Sequence, residues 1–261
     1  MKTYNQISTV SIIGSGNVAT ALGIALINSG INIIEVFSPN INNSKLLADK
    51  VDCNYVESIE ELNSISDLYI IATPDKEISN VISKLKHIQG IIVHTSGGQS
   101  SEILHDFNRS GVFYPLQTFT KNKSVDFKRV PICIEGSDGA TSDLLIQLAN
   151  KISNNVVVLN SEQRQYLHLT AVTVNNFSNL LYYHAQNVLD EKGIDFSLLH
   201  PLVQETGHKI REVNPEEAQT GPARRNDVST IEKHLALLGQ YPEFKEIYKL
   251  LSDQIIRKYH G

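Results

Sequence analysis

Residues 10–19 read VSIIGSGNVA, and no other stretch of the chain constrains its fold as tightly. A short β-branched run ends at Gly14. The next residues, Gly14-Ser15-Gly16-Asn17-Val18-Ala19, follow the G-x-G-x-x-G/A pattern, and an apolar helical pattern then runs on to Gly30. Strand, glycine turn and helix in that order form a cradle for a dinucleotide pyrophosphate. Gly14 permits the tight turn, Gly16 lets backbone approach the phosphates, and Ala19 lets the helix pack closely on the strand. Free N–H groups at the helix start, with the helix dipole, face the negative charge. The glycines alone are a weak signal; the strand before and the helix after give them meaning. Gly14, Ser15, Gly16, Asn17 and Val18 are therefore candidate cofactor residues. The competing reading is a glycine turn in another kind of βα unit.

The pattern continues as strands alternating with helices. Short apolar runs without strict alternation occur at 8–13, 32–37, 67–73 and 90–95, as expected of strands buried on both faces of a parallel sheet. Residues 75–86 read as a helix, with Asp75 as its N-cap and Ile78, Val81, Ile82 and Leu85 at helical spacing. Runs at 112–114, 130–135 and 155–159, with a helix near 139–150, extend the sheet. Residues 1–159 thus read as a doubly wound α/β domain. After Asn160 no convincing strand follows. Residues 161–192 carry Leu167, Ala171, Val174, Leu181 and Val188 at helical steps, and Gly193 ends the run. One helix of ~30 residues would be ~45 Å long. Further helices are expected near 195–213, 229–239 and 242–258, with Ser229-Thr230-Ile231-Glu232 as a capping box. Residues 160–261 read as an all-helical domain. Its long apolar stripe needs cover, which predicts a homodimer through these helices.

The chain has 261 residues and a net charge of −5, which argues against nucleic acid as the main partner. The polar start of the sequence holds no signal-peptide core, and no apolar run reaches the ~20 residues of a membrane span. Two cysteines, Cys53 and Cys133, make no disulfide framework. They read as small core residues, and a cytoplasmic location is expected. His168, His184, His200 and His208 lack the close spacing of metal ligands, so no metal is expected.

Several further motifs occur together. They are Ala72-Thr73-Pro74-Asp75, Val93-His94-Thr95-Ser96-Gly97-Gly98, Tyr114-Pro115-Leu116-Gln117-Thr118-Phe119, and Thr220-Gly221-Pro222-Ala223-Arg224-Arg225-Asn226-Asp227. With the glycine turn, this set resembles the bacterial Rossmann-like oxidoreductase family that carries a C-terminal domain of unknown function 2520. More distantly it is similar to pyrroline-5-carboxylate reductase and the β-hydroxyacid dehydrogenases. The resemblance covers nearly the whole chain. It implies a Rossmann domain followed by a helical domain of the 6-phosphogluconate dehydrogenase C-terminal-like type, and an NADP-class cofactor. It names no substrate.

The candidate site residues follow from position. In NAD enzymes an acid at the end of the second strand binds the ribose hydroxyls. Here Glu35 lies too early, and Ser38 and Asn40 occupy that turn, with Lys45 beyond; small polar groups without an acid suit the 2′-phosphate of NADP. NAD remains the alternative, because no arginine is present there. Ala72, Thr73 and Pro74 should line the cofactor at the carboxyl edge of the sheet. In the next loop, His94 is a candidate proton donor and Ser96 a candidate substrate contact, with Gly97 permitting close approach. A histidine simply hydrogen-bonded at a strand end is the plain alternative. Gln117 should return to the same edge. On the long helix, His168, Asn175 and Asn179 share roughly one face, with Asn176 beside them. They line a cleft or satisfy one another at a dimer interface. Thr220 and Arg224 are candidate substrate contacts, Arg224 as a fork for a carboxylate or phosphate; the plain alternative is a solvated loop. The β-hydroxyacid dehydrogenases carry a lysine four residues before an asparagine of this helix. Here those positions hold Ala171 and Val172. An NAD(P)-dependent reductase of a small polar, anionic carbonyl or imine is the leading reading. A non-catalytic dinucleotide-binding dimer and a deazaflavin-binding protein are the alternatives.

Overall fold

The computed structural model describes residues 6–85, 88–120 and 123–261. Residues 1–5 of the polar start, and Lys86 at the end of the expected 75–86 helix, lie outside them. Eight strands form one sheet in the order β3-β2-β1-β4-β5-β6-β7-β8. They are β1 (Thr9–Ile13), β2 (Asn32–Phe37), β3 (Asn54–Val56), β4 (Leu68–Ile71), β5 (Ile91–His94), β6 (Ser110–Pro115), β7 (Ile132–Gly136) and β8 (Val156–Val158). All neighbours pair in parallel except β6 and β7. This is the Rossmann architecture expected. The short β3 carries no apolar run and was not foreseen.

The continuous apolar strands are buried on both faces, and successive residues divide between two cores. Ile12, Ile70 and Val93 join the cluster under α1 (Asn17–Asn28), α2 (Ile41–Val51) and α4 (Gly139–Ile152). Their neighbours Ile13, Ile71 and Ile92 join the cluster under α3 (Ile78–Lys84). Polar residues inside the sheet are paired. Ser11 Oγ donates to Glu35 Oε1 at 3.0 Å, and Asn63 N donates to the same oxygen at 2.6 Å. Glu35 is therefore a structural acid, as its early position indicated. The strand order reverses between β1 and β4, which sets the ligand crevice outside their carboxyl ends.

The chain divides into two compact units, residues 1–176 and 177–261. The helical run that begins at Ser161 is not one uninterrupted α-helix. It consists of α5 (Ser161–Val172), a π-helical turn (Thr173–Phe177) and α6 (Ser178–Glu191). Asn160 caps α5 in a box with Gln163. Gly193 adopts φ +65°, as a terminating glycine should. The second unit continues with α7 (His200–Glu212), α8 (Pro215–Ala218), α9 (Val228–Leu237) and α10 (Pro242–His260). Asp227, not Ser229, caps α9: its side chain accepts from Thr230 N at 3.1 Å. Ala223, Ile231 and Leu238 are this unit's buried apolar residues, whereas Tyr183, Leu202, Ile210 and Leu250 are exposed. No helix among the described residues is long and apolar enough to cross a membrane. Cys133 is buried, and Cys53 is half-buried, packed against the edge of the core, with its thiol donating to Asn54 O at 3.1 Å.

Candidate active site

The carboxyl ends of β1 and β4 meet at the glycine turn. Gly14 N donates to Phe37 O, and Ala72 N to Ile13 O, both at 2.7 Å. Gly14 adopts φ +118°, and a Cβ there would lie 2.3 Å from Ala72 O, so no other residue fits. Gly16 differs: nothing lies within 4 Å of the place its Cβ would take, which leaves the approach to the α1 N-terminus open. Ser15 Oγ donates to Ser38 Oγ at 2.8 Å, linking the turn to the end of β2. Thr73 Oγ1 is buried yet has no hydrogen-bond partner. A buried orphan hydroxyl beside an open, N–H-rich turn fits a bound dinucleotide. Asn40 is in the expected turn, but its side chain is occupied in capping α2 through Asn43 N at 3.2 Å. Asn17 Nδ2 donates to Phe119 O at 2.9 Å and so holds the following loop. Val18 and Pro74 stand beside this turn and the β4 loop in sequence.

A second cluster lies along the same edge, beyond β4, β5 and β6. Asp75 does not cap α3; its Oδ2 accepts from Ser96 Oγ at 2.9 Å. Ser96 Oγ in turn accepts from Gly98 N at 3.1 Å and Gln99 N at 3.0 Å. The hydroxyl thus shapes its own loop. His94 is fully buried, with Nδ1 accepting from Ser96 N at 3.2 Å and Nε2 at 3.4 Å from Ser100 O. Burial, reinforced by the Arg164 charge, pulls its pKa down to about 4. The ring is neutral near pH 7, and the geometry fits the plain alternative, a strand-end histidine bonded to backbone.

His168 is placed differently. It is half-buried on α5, and its Nδ1 lies 3.0 Å from the Tyr114 hydroxyl. The two rings meet edge to face with centroids 5.8 Å apart. Burial pushes the Tyr114 phenol up to about 12. Gly97 is what lets this pair approach the loop: a Cβ there would lie 2.6 Å from His168 Nδ1 and 2.7 Å from Tyr114 Cζ. His168, Ser96 and Gly97 are thus brought together, with Tyr114 and Asp75 added.

Beneath them is a residue the sequence reading missed. Arg164, one helical turn before His168, is completely buried. It pairs with Glu135 of β7 and donates to Gln99 O and, at 3.2 Å, to Ser161 Oγ. Glu135 also accepts from Ser101 Oγ at 2.9 Å and Ser161 N at 3.0 Å. The ion pair pins the 96–101 loop to the start of α5. A lone arginine in a polar helical turn, QRQ, carries no local sign of burial.

The remaining candidates make local contacts of their own. Gln117 is exposed and its Oε1 accepts from Thr118 N at 2.8 Å. Asn175 and Asn176 fall in the π-helical turn, exposed, with Asn175 Nδ2 donating to Asn176 Oδ1 at 3.2 Å. Such turns recur at functional sites. Thr220 and Arg224 belong to the second unit. There the Arg224 guanidinium lies 4.0 Å from the centre of the Tyr259 ring, and His260 Nε2 lies 2.9 Å from Arg224 O.

Residues 9–96 match the family described as NADP oxidoreductase, coenzyme F420-dependent, and residues 130–255 match domain of unknown function 2520. A Bacteroides fragilis protein assigned to the NADP oxidoreductases is 36% identical, over 96% of this chain and 98% of that one, with a TM-score of 0.92. A Thermotoga maritima protein shares the fold at 23% identity, over 95% of this chain and 99% of its own, with a TM-score of 0.75. An imine reductase of Streptomyces aurantiacus does so at 14% identity, over 95% and 93%, with a TM-score of 0.72. No curated protein matches the chain. With its glycine turn, orphaned Thr73 and full-length likeness to the Bacteroides protein, the chain belongs to the Rossmann-type NADP oxidoreductases that carry domain of unknown function 2520.

Proposed function

We propose that the protein binds NADPH across the β1–β4 crevice and reduces a small polar, anionic imine or carbonyl compound held against the 94–99 loop. The observation that carries this reading is the Tyr114–His168 pair, 3.0 Å apart, standing on the glycine loop of the same sheet edge as the dinucleotide turn. NADPH, when bound, supplies the hydride that the electrophilic carbon takes up. Gly14 to Val18 bind the pyrophosphate, Ser38 and Asn40 form the 2′-phosphate turn, and Ala72 to Pro74 line the wall. His168 holds a proton at Nε2, because its Nδ1 is engaged by the Tyr114 hydroxyl. That N–H would hold the substrate nitrogen or oxygen by a hydrogen bond; a protonated imine brings its own proton, and a carbonyl oxygen would take one from water. Tyr114, whose burial keeps the phenol protonated, orients the ring. Ser96 and Asp75 fix the loop, and His94 supports it in neutral form. Gly97 and Gln117, with Asn175 and Asn176 on the π-helical turn, border the substrate.

An imine suits this set because a protonated imine accepts hydride without the lysine that Ala171 and Val172 replace. Imine reductases share the fold, which supports the same choice. Few apolar residues of the second unit are buried, and exposed Tyr183, Leu202 and Ile210 favour a homodimer through the helices. The free thiols Cys53 and Cys133 fit a reducing, cytoplasmic location. The missing lysine favours one second reading, a dinucleotide-binding dimer without turnover.

The test is a calorimetric titration with NADPH and NADH, followed by a metabolite screen read as loss of NADPH absorbance. NADPH binding that Gly16→Asp abolishes, together with substrate-dependent oxidation that His168→Gln abolishes, is expected. Tight binding with no oxidation by any imine or carbonyl compound favours the non-catalytic dimer. Preference for NADH removes the role given to Ser38 and Asn40.

A further inference from the structure

A groove of about 1300 Å³ runs along the outer face of α1, away from the Tyr114–His168 cluster. It exceeds the roughly 300–1,000 Å³ of ordinary small-ligand pockets. The helix itself creates it. Ala19, Leu22, Gly23 and Leu26 face the sheet, so Ala21, Ile24 and Ala25 are turned outward. The two alanines give depth, and Ile24, 40% exposed, gives an apolar floor. Leu46 of α2, 57% exposed, and Phe127 form the walls.

The rim is cationic. Lys50 of α2, Lys123, Lys128 and Lys151 of α4 all line the groove, and none makes an ion pair among the described residues. Lys128 Nζ donates to Lys151 O at 2.9 Å, which brings these two lysines to one place. That place lies at the glycine-turn end. Asn17 holds Phe119, whose ring stacks on Phe127 at 5.8 Å, and Lys128 follows directly. One acid, Asp126, lines the groove, and its side chain is turned to Lys128 N at 3.1 Å. In a chain of net charge −5, unpaired lysines around an apolar floor mark a local preference for anions with an apolar body. Lys128 and Lys151, brought to one place, suit a single head group, and the apolar floor suits a tail.

We propose that this groove is a binding site for a free long-chain anion, a carboxylate or phosphate monoester on an unbranched apolar chain. The head meets Lys128 and Lys151, and the chain lies along the Ala21–Ile24–Ala25 floor of α1, which is about 18 Å long at twelve residues. At one end the groove also takes in Ser15, Gly16 and Asn17 of the dinucleotide turn. Its residues contribute neither to the Tyr114–His168 cluster nor to the hydride step.

The experiment is calorimetric titration of the full chain with sodium laurate and with dodecyl phosphate, each below its critical micelle concentration. Saturable one-to-one binding is expected. Ile24→Asp, and separately the pair Lys128→Glu with Lys151→Glu, should each weaken it at least tenfold. Lys84→Glu, on the opposite face of the sheet, should leave it unchanged. Thermal melts and circular dichroism establish that each variant is folded. Absence of saturable binding by both probes overturns the proposal. So does binding that the floor and rim variants leave untouched. Binding to anionic vesicles or to an acidic helical peptide, without binding to either free probe, also overturns it and assigns the groove to a membrane surface or a protein partner.

Discussion

Gly97 has no room for a side chain, and this gives the sharpest test at the scale of a residue. Alanine there must displace His168 or Tyr114. Gly97→Ala is expected to cost about 1–3 kcal/mol, as overpacking does, and to abolish substrate-dependent oxidation while NADPH still binds. A denaturant melt and an NADPH titration on one sample check both. Arg164→Met should cost more. It leaves the Glu135 carboxylate without its counter-ion and Gln99 O without its donor, and removing one partner of a buried pair costs about 3–5 kcal/mol. His94 makes stability depend on pH. Its pKa is about 4 in the fold against 6.5 for a free imidazole, so the unfolded chain binds the extra proton between those values. The stability contributed is fully present above pH 6.5 and is lost as pH falls toward 4, about 3 kcal/mol in all. His94→Gln should flatten that part of the stability–pH curve, read by denaturant titration at several pH values. A wild-type curve flat between pH 6.5 and 4 would show that His94 is not held neutral by burial.

At the scale of the element, capping separates two readings of α9. Asp227 accepts from Thr230 N at 3.1 Å and from Thr230 Oγ1 at 2.7 Å. Asp227→Ala should cost about 1 kcal/mol, whereas Ser229→Ala should change stability by less than about 0.5 kcal/mol, as exposed substitutions do. Comparable losses in the two variants would mean that the helix begins elsewhere. The Ser229-Glu232 spacing matches a capping box, but the chain turns at Asn226, which adopts φ +56°, and sets the cap two residues earlier. The break between α5 and α6 has the same character. The apolar steps through Leu167, Ala171 and Val174 fit continuous α-helix, and the π-helical turn at Thr173–Phe177 leaves no mark in that periodicity.

At the scale of the whole molecule, the second unit holds too small a core for its helices. Its buried apolar residues are Ala223, Ile231 and Leu238, while α6 and α7 expose Tyr183, Leu202 and Ile210. Apolar surface left in water at about 25 cal/mol per Å² favours association. Sedimentation equilibrium is expected to give a dimer, and Tyr183→Glu with Leu202→Glu a folded monomer. A monomeric wild type at micromolar concentration would remove the dimer. Such a monomer should still bind NADPH, because the residues proposed to hold the cofactor lie within residues 14–74.

The sequence by itself determined the dinucleotide fold. Gly14-Ser15-Gly16-Asn17-Val18-Ala19 is a local pattern that can be read without knowing that Gly14 packs against Ala72. The doubly buried strands were equally plain, since burial on both faces leaves 10–13, 68–71 and 91–93 almost wholly apolar, with Ser11 paired to Glu35 as the exception. Only the tertiary structure decided the site's chemistry. His94 and His168 look alike in sequence. Burial with backbone partners on both nitrogens makes one a neutral prop, and a contact with Tyr114 across 54 residues makes the other the half-buried member of a pair. Arg164 and Glu135 were invisible for the same reason. Their meaning is a partner 29 residues away, and a charge's burial is fixed by what folds over it, not by its neighbours along the chain.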